Sequence, residues 1–255
     1  MAQDMIGKVV LLGGASGGIG LAAAKKLLDR GASVALHYRS KPEALKKLAE
    51  QYDADRVLLA QGDLTKRADI AAIVASTVER FGKLDAFVTT VGTALRILPF
   101  LQTSEDTVDL TIAIELRSVI DSVRAVLPEL IKAGGGRIVI VGSDSGKVGT
   151  SGESVSAACR GGAIAFAKSI AREYARHNVL ANVVCPGPTD TGLWEDLVTN
   201  DEFGSKIGNA MVRAIPLRRT GRPEEVASAA VFLVSDEASY ITGQAISVSG
   251  GLTMC

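Results

Sequence analysis

Residues 12–20 read Leu-Gly-Gly-Ala-Ser-Gly-Gly-Ile-Gly, between an apolar run at Lys8–Leu12 and a stretch of helical spacing at Ile19–Arg30. Glycines at such a strand-to-helix turn let the backbone approach a pyrophosphate and leave helix N–H groups free to receive it. A tight turn has the same composition, but the strand–loop–helix context favours a dinucleotide-binding loop. The predicted loop residues are Gly14, Ser16, Gly18, Ile19 and Gly20.

The rest of the chain repeats this alternation of short apolar runs and helical stretches. The runs are almost continuously apolar, as expected when helices cover both faces of a parallel sheet. We therefore predict one Rossmann-like α/β domain over residues 1–255, with a doubly wound parallel seven-stranded sheet in a three-layer αβα arrangement. The predicted strands are Lys8–Leu12, Ser33–Tyr38, Arg56–Ala60, Leu84–Val91, Arg137–Val141, Val179–Val184 and Ala245–Val248. The predicted helices are Ile19–Arg30, Pro42–Gln51, Lys66–Phe81, Glu105–Ile131 and Ser154–His177.

The segment Pro186–Pro216 interrupts the alternation and contains the only Trp of the chain. A long insertion after a late strand of such a sheet commonly lies over the binding site. We therefore expect residues 186–216 to form a lid or wall over the site.

The amino-acid composition bears on which partners the protein can bind. The 28 basic residues equal the 28 acidic ones, so the formal charge is zero and no excess field attracts nucleic acid or an anionic membrane. The three cysteines, Cys159, Cys185 and Cys255, have neither metal-ligand spacing nor the pattern of a secreted disulfide framework. No signal peptide precedes the first strand, and no apolar run approaches the roughly 20 residues that span a bilayer. These features predict a cytoplasmic protein with no metal site and no nucleic-acid or membrane partner.

The end of the second predicted strand bears on the choice of nucleotide. An acidic residue there would hold the ribose 2′-hydroxyl of NAD, but the chain has Tyr38 followed by Arg39. Residues 40–43, Ser-Lys-Pro-Glu, resemble a capping box with Pro in the first turn, so we expect a helix to begin beside Arg39. Arg39, Ser40 and the helix dipole would suit a 2′-phosphate, although a solvated helix start has the same composition. The pattern favours NADP(H) over NAD(H).

Further motifs lie along nearly the whole chain: Gly14-x-x-x-Gly18-Ile19-Gly20, Gly62-Asp63-Leu64, Pro186-Gly187-Pro188-Thr189-Asp190-Thr191, Tyr240–Gln244 and Gly250-Gly251. With them the chain resembles the short-chain dehydrogenase/reductase (SDR) family, single-domain type, similar to the 3-oxoacyl-acyl-carrier-protein reductases. The resemblance implies hydride transfer between a nicotinamide cofactor and a small-molecule carbonyl or alcohol. It implies a homodimer or homotetramer that pairs through Glu105–Ile131 and Ser154–His177. It adds cofactor contacts at Asp63, Leu64, Gly92, Arg160, Pro186, Gly187, Thr189 and Thr191.

The catalytic set of the family is Asn, Ser, Tyr and Lys, and the resemblance retains one of the four. The serine position is Ser143, the tyrosine position is Ser156, the lysine position is Arg160 and the asparagine position is Glu115. The Thr that usually begins the glycine loop is Gly13. The usual Asn-Asn-Ala-Gly after the fourth strand is Thr-Thr-Val-Gly. None of the four tyrosines has Lys four residues later, so a shifted register does not restore the pair.

These substitutions alter the proton chemistry. Ser156 is shorter and far less acidic than a phenol, so it is a poor proton donor. Arg160 lies one helical turn away and keeps a positive charge directed at the ribose or a substrate anion, but it cannot relay a proton. Glu115 could carry a proton if burial raised its pKa, or it could pair with Arg117, Arg160 or another base.

Other polar and reactive side chains admit two interpretations each. The polar residues Asp144, Ser145, Lys147, Glu153 and Ser154 could donate a proton or bind a polar substrate, although loop polarity is the commoner reason for such residues. Cys159 could be a nucleophile, but a small buried thiol is favoured. His37 and His177 are expected at the surface or at the nucleotide rim.

Three functions remain open. The first is an NADP(H)-dependent oxidoreductase whose proton donor is Ser143, Glu115, Asp144 or water. The second is a nucleotide-binding sensor or partner subunit without turnover. The third is a non-redox lyase or dehalogenase, because halohydrin dehalogenases resemble this family and also use an Arg, although they keep the Tyr and lack the nucleotide loop.

Overall fold

A parallel sheet forms the centre of the structure, a computed structural model that describes residues 3–93, 96–199 and 202–255. Its strands are β1 (Val9–Gly13), β2 (Ser33–Tyr38), β3 (Val57–Gln61), β4 (Ala86–Thr89), β5 (Gly136–Val141), β6 (Val179–Pro186) and β7 (Ala245–Val248). They lie in the order β3-β2-β1-β4-β5-β6-β7, and every neighbouring pair is parallel. All strands therefore end at one edge of the sheet, and the order reverses between β1 and β4.

Helices connect the strands. They are α1 (Gly18–Asp29), α2 (Glu43–Ala49), α3 (Arg67–Phe81), α4 (Glu105–Ile112), α5 (Ser118–Lys132), α6 (Ser145–Val148), α7 (Ser154–Tyr174), α8 (Gly192–Thr199), α9 (Glu202–Ala214) and α10 (Pro223–Val234). A π turn, Ala113–Arg117, joins α4 to α5. A π turn adds a residue to the helical repeat and is frequent at functional sites.

The two faces of the sheet carry separate apolar cores. Successive side chains of a strand point to opposite faces, so Val10 and Leu12 of β1 pack with α1 and α10, whereas Val9 and Leu11 pack with α3, α5 and α7. This arrangement buries both faces and explains why the strands are apolar throughout. It confirms the predicted Rossmann-like, doubly wound, three-layer αβα domain with seven parallel strands.

The predicted capping box at Ser40 is wrong. Helix α2 begins only at Glu43, Pro42 occupies the N-cap position, and no side chain caps the helix. The reason is that a residue before proline disfavours the α conformation, so Lys41 cannot form the first helical residue after Ser40. The helix start is therefore farther from Arg39 than the sequence pattern indicated.

The segment predicted as a lid contains helices α8 and α9, which the sequence pattern did not resolve. Helices α6 and α10 were also not predicted individually. The short α6 contacts α7 at Gly146, where a Cβ would lie 2.7 Å from the Arg160 carbonyl carbon. This close approach sets the start of α7 against the carboxyl end of β5.

Candidate functional site

The glycine loop follows β1 at the point where the strand order reverses. In doubly wound sheets, ligands bind in the crevice at such a point. Gly14 has a φ of +77°, which favours glycine. The Thr90 hydroxyl, after β4, bonds the carbonyl oxygens of Gly13 (3.1 Å) and Gly14 (3.0 Å). A Cβ at Gly20 would lie 2.2 Å from the Gly14 oxygen, so the loop folds directly onto the first turn of α1.

His37 lies beneath this loop and is buried, which corrects the expectation of a surface position, and it lines the groove beside the glycine loop, in keeping with the alternative of a nucleotide-rim position. Its Nδ1 accepts the Gly14 N–H at 3.0 Å, and its Nε2 lies 3.1 Å from the Gly62 carbonyl oxygen. These partners require a neutral ring that donates from Nε2. Burial lowers the pKa of His37 despite the Gly62 contact and the charge of Asp63. A neutral His37 therefore connects the glycine loop to the loop after β3.

Acidification is expected to destabilise the protein through His37. Because the pKa of this ring is lowered in the folded state, the unfolded chain takes up the proton first as the pH falls below about 6.5. The free energy of unfolding should therefore decrease from that pH toward the lowered pKa. Urea denaturation between about pH 8 and pH 5 measures this decrease in the free energy of unfolding. The decrease should be absent in His37→Gln and present in the control variant His177→Gln. Identical pH dependence in wild type and His37→Gln would contradict the assignment.

A groove of about 730 Å³ runs along the glycine loop. Its lining contains ten of the predicted cofactor residues, namely Gly14, Ser16, Gly18, Ile19, Gly20, Arg39, Asp63, Leu64, Gly92 and Thr191. Ser40 does not line it. The Asp63 carboxylate accepts from the backbone N–H (3.0 Å) and hydroxyl (2.7 Å) of Thr65, and these hydrogen bonds lower the pKa of Asp63 against the effect of burial. Within the described ranges, the exposed Arg39 side chain makes no hydrogen bond or ion pair.

A second cavity of about 500 Å³ adjoins the groove, since Gly92 and Thr191 line both. It brings together the predicted catalytic residues Ser143, Ser156, Arg160 and Glu115, and the predicted cofactor residues Pro186, Gly187 and Thr189. The Thr189 hydroxyl donates to the Gly187 carbonyl oxygen at 2.9 Å, which holds the turn after β6. Trp194 of α8 and Met211 of α9 supply an apolar wall.

Glu115 lies in the π turn and is 2% exposed. Its Oε1 accepts from the Thr93 N–H (3.1 Å) and hydroxyl (2.7 Å) and lies 3.0 Å from Nη2 of Arg160. Its Oε2 accepts the Ser156 hydroxyl at 2.6 Å. Burial acts to raise the pKa of Glu115, but the charge of Arg160 and the hydrogen bonds from Ser156 and Thr93 outweigh it, so the pKa is lowered. The proton-carrier interpretation with a raised pKa is therefore wrong, and the pairing interpretation is confirmed for Arg160.

Arg160 lies in the cavity wall, and its guanidinium is held by protein groups. Its guanidinium pairs with Glu115 and donates from Nη1 to the carbonyl oxygens of Val91 (3.2 Å) and Val141 (3.2 Å). It thus joins the ends of β4 and β5 to α7. Arg117 pairs instead with Asp121, through Nε at 2.7 Å.

Ser143 follows β5 at the cavity wall. Its hydroxyl oxygen accepts from the N–H (3.2 Å) and hydroxyl (2.9 Å) of Ser145, so its own hydroxyl hydrogen remains available for a ligand. Lys147 is directed away, because it donates to the Ser247 hydroxyl (2.9 Å) and the Ala245 carbonyl oxygen. Ser143 is therefore positioned to orient a polar atom in the cavity.

Two carboxyl groups of the cavity wall differ in accessibility. Both oxygens of Asp144 are fully buried and have no hydrogen-bond partner in the part of the chain that the structure describes. Glu153, one residue before α7, is only partly buried, and its carboxyl forms no hydrogen bond or ion pair with a described residue. Burial and the charge of Glu115 raise the pKa of Glu153 to about 7. The sequence named Glu153 only as a polar loop residue, because nothing local indicates this environment.

Other reactive groups contribute less. Cys159 is buried, and burial raises the pKa of its thiol, which opposes a nucleophilic role. In the described ranges, no three or more His, Cys, Asp and Glu side chains come together to hold a metal ion. None of the helices in those ranges has the length and apolar character required to cross a bilayer.

Comparison with known sequences gives matches over almost the whole chain. Residues 14–253 match the family model described as enoyl-(acyl carrier protein) reductase. The chain is 35% identical to oxidoreductase UcpA of Salmonella typhimurium, over 98% of this chain and 96% of that protein. It is also 35% identical to the 3-oxoacyl-[acyl-carrier-protein] reductase FabG of Thermotoga maritima, over 97% and 98% of the two chains.

Solved structures agree with this result. A short-chain dehydrogenase/reductase from Brucella melitensis, described as a glucose/ribitol dehydrogenase, superposes with a TM-score of 0.89 at 28% identity, and the match covers both chains fully. Levodione reductase also superposes with a TM-score of 0.89, at 29% identity over 97% of this chain and 98% of the other.

Proposed function

The chain belongs to the short-chain dehydrogenase/reductase family of oxidoreductases, and on that premise we propose that it uses NADP(H) to interconvert a small-molecule carbonyl and its alcohol. The observation that carries the proposal is the continuity between the glycine-loop groove and the cavity that contains Ser143. Two similar proteins are reductases by name, which supports carbonyl reduction. The bound nicotinamide would supply or accept the hydride.

The residues of the groove fit a dinucleotide. Gly20 leaves no room for a Cβ, Gly14 has a φ of +77°, and the backbone N–H groups at the start of α1 suit a pyrophosphate. Asp63 and Leu64 would contact the adenine end, and the turn Pro186–Thr191 would contact the nicotinamide end. Ser143 would donate its hydroxyl hydrogen to the substrate oxygen. Arg160, Glu115 and Ser156 would form a fixed wall rather than a proton relay.

The preference for NADP(H) is tested by Arg39→Ala. The exposed guanidinium at the groove makes no hydrogen bond or ion pair with a described residue, and its charge acts only at longer range on Asp63, so it can bind a 2′-phosphate. A charge-assisted hydrogen bond contributes about 1.5–3 kcal/mol, so we expect NADPH affinity to fall about 10- to 100-fold. NADH affinity should change less than about two-fold, because NADH lacks that phosphate. Fluorescence titration measures both, with Lys46→Ala on α2 as an exposed control.

Equal losses of NADPH and NADH affinity in Arg39→Ala would remove the case for 2′-phosphate recognition. Turnover is tested by following NADPH absorbance over a broad carbonyl panel. Tight NADPH binding without turnover on any carbonyl would instead favour a nucleotide-binding sensor or partner subunit. The mutual contacts of Ser156, Glu115 and Arg160 would also be compatible with that function. Absence of nucleotide binding would contradict both the oxidoreductase and the sensor or partner subunit. A lyase or dehalogenase is the least favoured alternative.

We further propose a homodimer or homotetramer that pairs through α5 and α7. The support is an open apolar cleft between these helices, lined by Ile120, Val123, Leu127, Phe166, Ile170 and Tyr174. We also propose a cytoplasmic location, with no nucleic-acid or membrane partner. Light scattering of the purified protein gives the oligomeric state.

A further inference from the structure

We propose that Glu153 is the catalytic acid and base of this site, exchanging a proton with the substrate oxygen where the family uses a tyrosine. The inference rests on the proposed function, since a proton donor is required only if a carbonyl is reduced. Glu153 lines the same cavity as Ser143 and Ser156 and sits one residue before α7.

The residues at the tyrosine and asparagine positions, Ser156 and Glu115, are hydrogen-bonded to other protein groups. The Ser156 hydroxyl donates to Glu115 at 2.6 Å, which directs its proton away from a ligand. The Glu115 carboxylate accepts hydrogen bonds from Thr93 and Ser156 and pairs with Arg160. These contacts lower its pKa and hold it as the anion. Neither group therefore has a proton available for the substrate.

Arg160 and Ser143 cannot replace the phenol either. A guanidinium stays protonated throughout the accessible pH range, so Arg160 cannot exchange its proton. Ser143 retains a hydrogen-bond donor, but an aliphatic alcohol is too weak an acid to complete the transfer near neutral pH. Ser143 can orient the substrate oxygen while another group supplies the proton.

Accessibility separates the two remaining carboxyl groups. The oxygens of Asp144 are fully buried, so a molecule in the cavity does not contact them. Glu153 keeps part of its surface accessible, and its carboxyl makes no hydrogen bond or ion pair within the described ranges. Of the two, Glu153 is the carboxyl that a substrate oxygen can reach.

The neighbouring charges suit this role. Burial and the negative charge of Glu115, which is held as a carboxylate, raise the pKa of Glu153 to about 7, although the charge of Arg160 acts to lower it. Two carboxyl groups with pKa values pushed apart by their surroundings commonly mark an acid and base assignment. An acid with a pKa near the working pH transfers protons efficiently in both directions.

The substrate carbonyl carbon would accept the hydride that a reduced nicotinamide supplies when bound, as the carbonyl π electrons move to oxygen. That oxygen forms a bond to the proton of the Glu153 carboxyl as the acid O–H bond breaks. The carbonyl becomes an alcohol, the nicotinamide is oxidised, and Glu153 is left as a carboxylate. Solvent then returns the proton through the accessible side of Glu153.

Glu153→Gln is the first test. We expect kcat for carbonyl reduction to fall about 100-fold or more, because the proton donor is removed. NADPH affinity should stay within about two-fold of wild type, because the nucleotide groove is unchanged. In wild type, kcat/KM for reduction should fall as the pH rises through about 7, and Glu153→Gln should lose this dependence. Glu173→Gln, a change at an exposed residue of α7, is the matched control and should behave as wild type.

Glu115→Gln tests the coupling between the two carboxyl groups. Removing the negative charge of Glu115 leaves Arg160 unbalanced, so the pH midpoint of kcat/KM should move to lower pH. Asp144→Asn should leave the midpoint unchanged. A flattened profile in Asp144→Asn, with an intact profile in Glu153→Gln, would assign the proton to Asp144 and overturn the inference.

Stability provides a readout that needs no turnover. The pKa of Glu153 is raised from its ordinary value of 4.5 to about 7, so its stabilising contribution is complete below the ordinary value and lost as the pH rises through about 7. The melting temperature of wild type relative to Glu153→Gln should therefore fall between about pH 5 and pH 8. If the melting temperatures of wild type and Glu153→Gln vary with pH in parallel, the inference is overturned, because Glu153 would then not hold a proton at neutral pH.

The outcomes separate the two proposals. Wild type that turns over, with Glu153→Gln within about three-fold of it and the same pH midpoint, would overturn the role of Glu153 alone. Wild type that binds NADPH and reduces no carbonyl would overturn the proposed function and this role with it. If Glu153→Gln does not fold, Glu153→Asp carries the test. Its shorter acid should lower kcat at least about ten-fold while retaining a pH dependence, and an unchanged kcat would overturn the inference.

Discussion

Arg160→Met is expected to lower the free energy of unfolding by about 3–5 kcal/mol. Methionine preserves much of the volume but leaves Glu115 as an unpaired carboxylate in the protein interior. The Glu115 side chain is 3% exposed and that of Arg160 is 9% exposed, so water replaces little of the lost contact. The carbonyl oxygens of Val91 and Val141 also lose the donor that Arg160 provides.

Urea denaturation at neutral pH measures the loss, and two further variants identify its cause. Removing both charges in Glu115→Met/Arg160→Met should recover most of the stability, because a buried pair replaced by apolar residues is often neutral. Arg117→Met removes a half-exposed partner of Asp121 and should cost less than about 1 kcal/mol. A value for Arg160→Met within about 1 kcal/mol of wild type would show that Glu115 does not depend on this pair.

Gly20→Ala is expected to weaken NADPH binding at least about 100-fold and to lower the free energy of unfolding by about 1–3 kcal/mol. The added Cβ would lie 2.2 Å from the Gly14 carbonyl oxygen and 2.9 Å from the Ala15 Cα, and both are backbone atoms. The loop must therefore move away from α1, and its N–H groups lose the orientation that suits a pyrophosphate.

Nucleotide titration and urea denaturation of the same preparations test both parts of the Gly20 prediction. Gly221→Ala is the matched control, since a Cβ there meets Thr189 and Pro188 only at ordinary distances of 3.7 and 3.8 Å. It should change neither measurement by more than about 0.5 kcal/mol. Wild-type NADPH affinity in Gly20→Ala would mean that the nucleotide does not bind at this loop.

The sequence predicts the sheet and the glycine loop well because their signals are local. An apolar run such as Ser33–Tyr38 indicates a strand by its composition alone, and β2 has those bounds. The capping box at Ser40 shows where a local pattern misleads, because the proline two residues later restricts Lys41. Helices α8 and α9 lie in a segment of mixed composition, where periodicity is too weak to define their ends.

The chemistry of the cavity depends on contacts between residues distant in the sequence. Glu115 and Ser156 are 41 positions apart, and no local pattern shows that one donates to the other. A carboxyl beside several donors has a lowered pKa, whereas the same group buried alone has a raised one. The sequence could therefore name Glu115 and Glu153 as candidates, but only the structure shows that their pKa values shift in opposite directions.

The contacts of Glu115, Ser156 and Arg160 also constrain how such a site can evolve. Exchanging Glu115 for a neutral residue first would strand a buried guanidinium, and exchanging Arg160 for a neutral residue first would strand a carboxylate. Arg160→Lys would keep a positive partner for Glu115 and so avoid a stranded carboxylate, although it would give up part of the donor set that holds Val91 and Val141. Glu115 and Arg160 thus constrain each other, and a stepwise exchange of this pair has a preferred order.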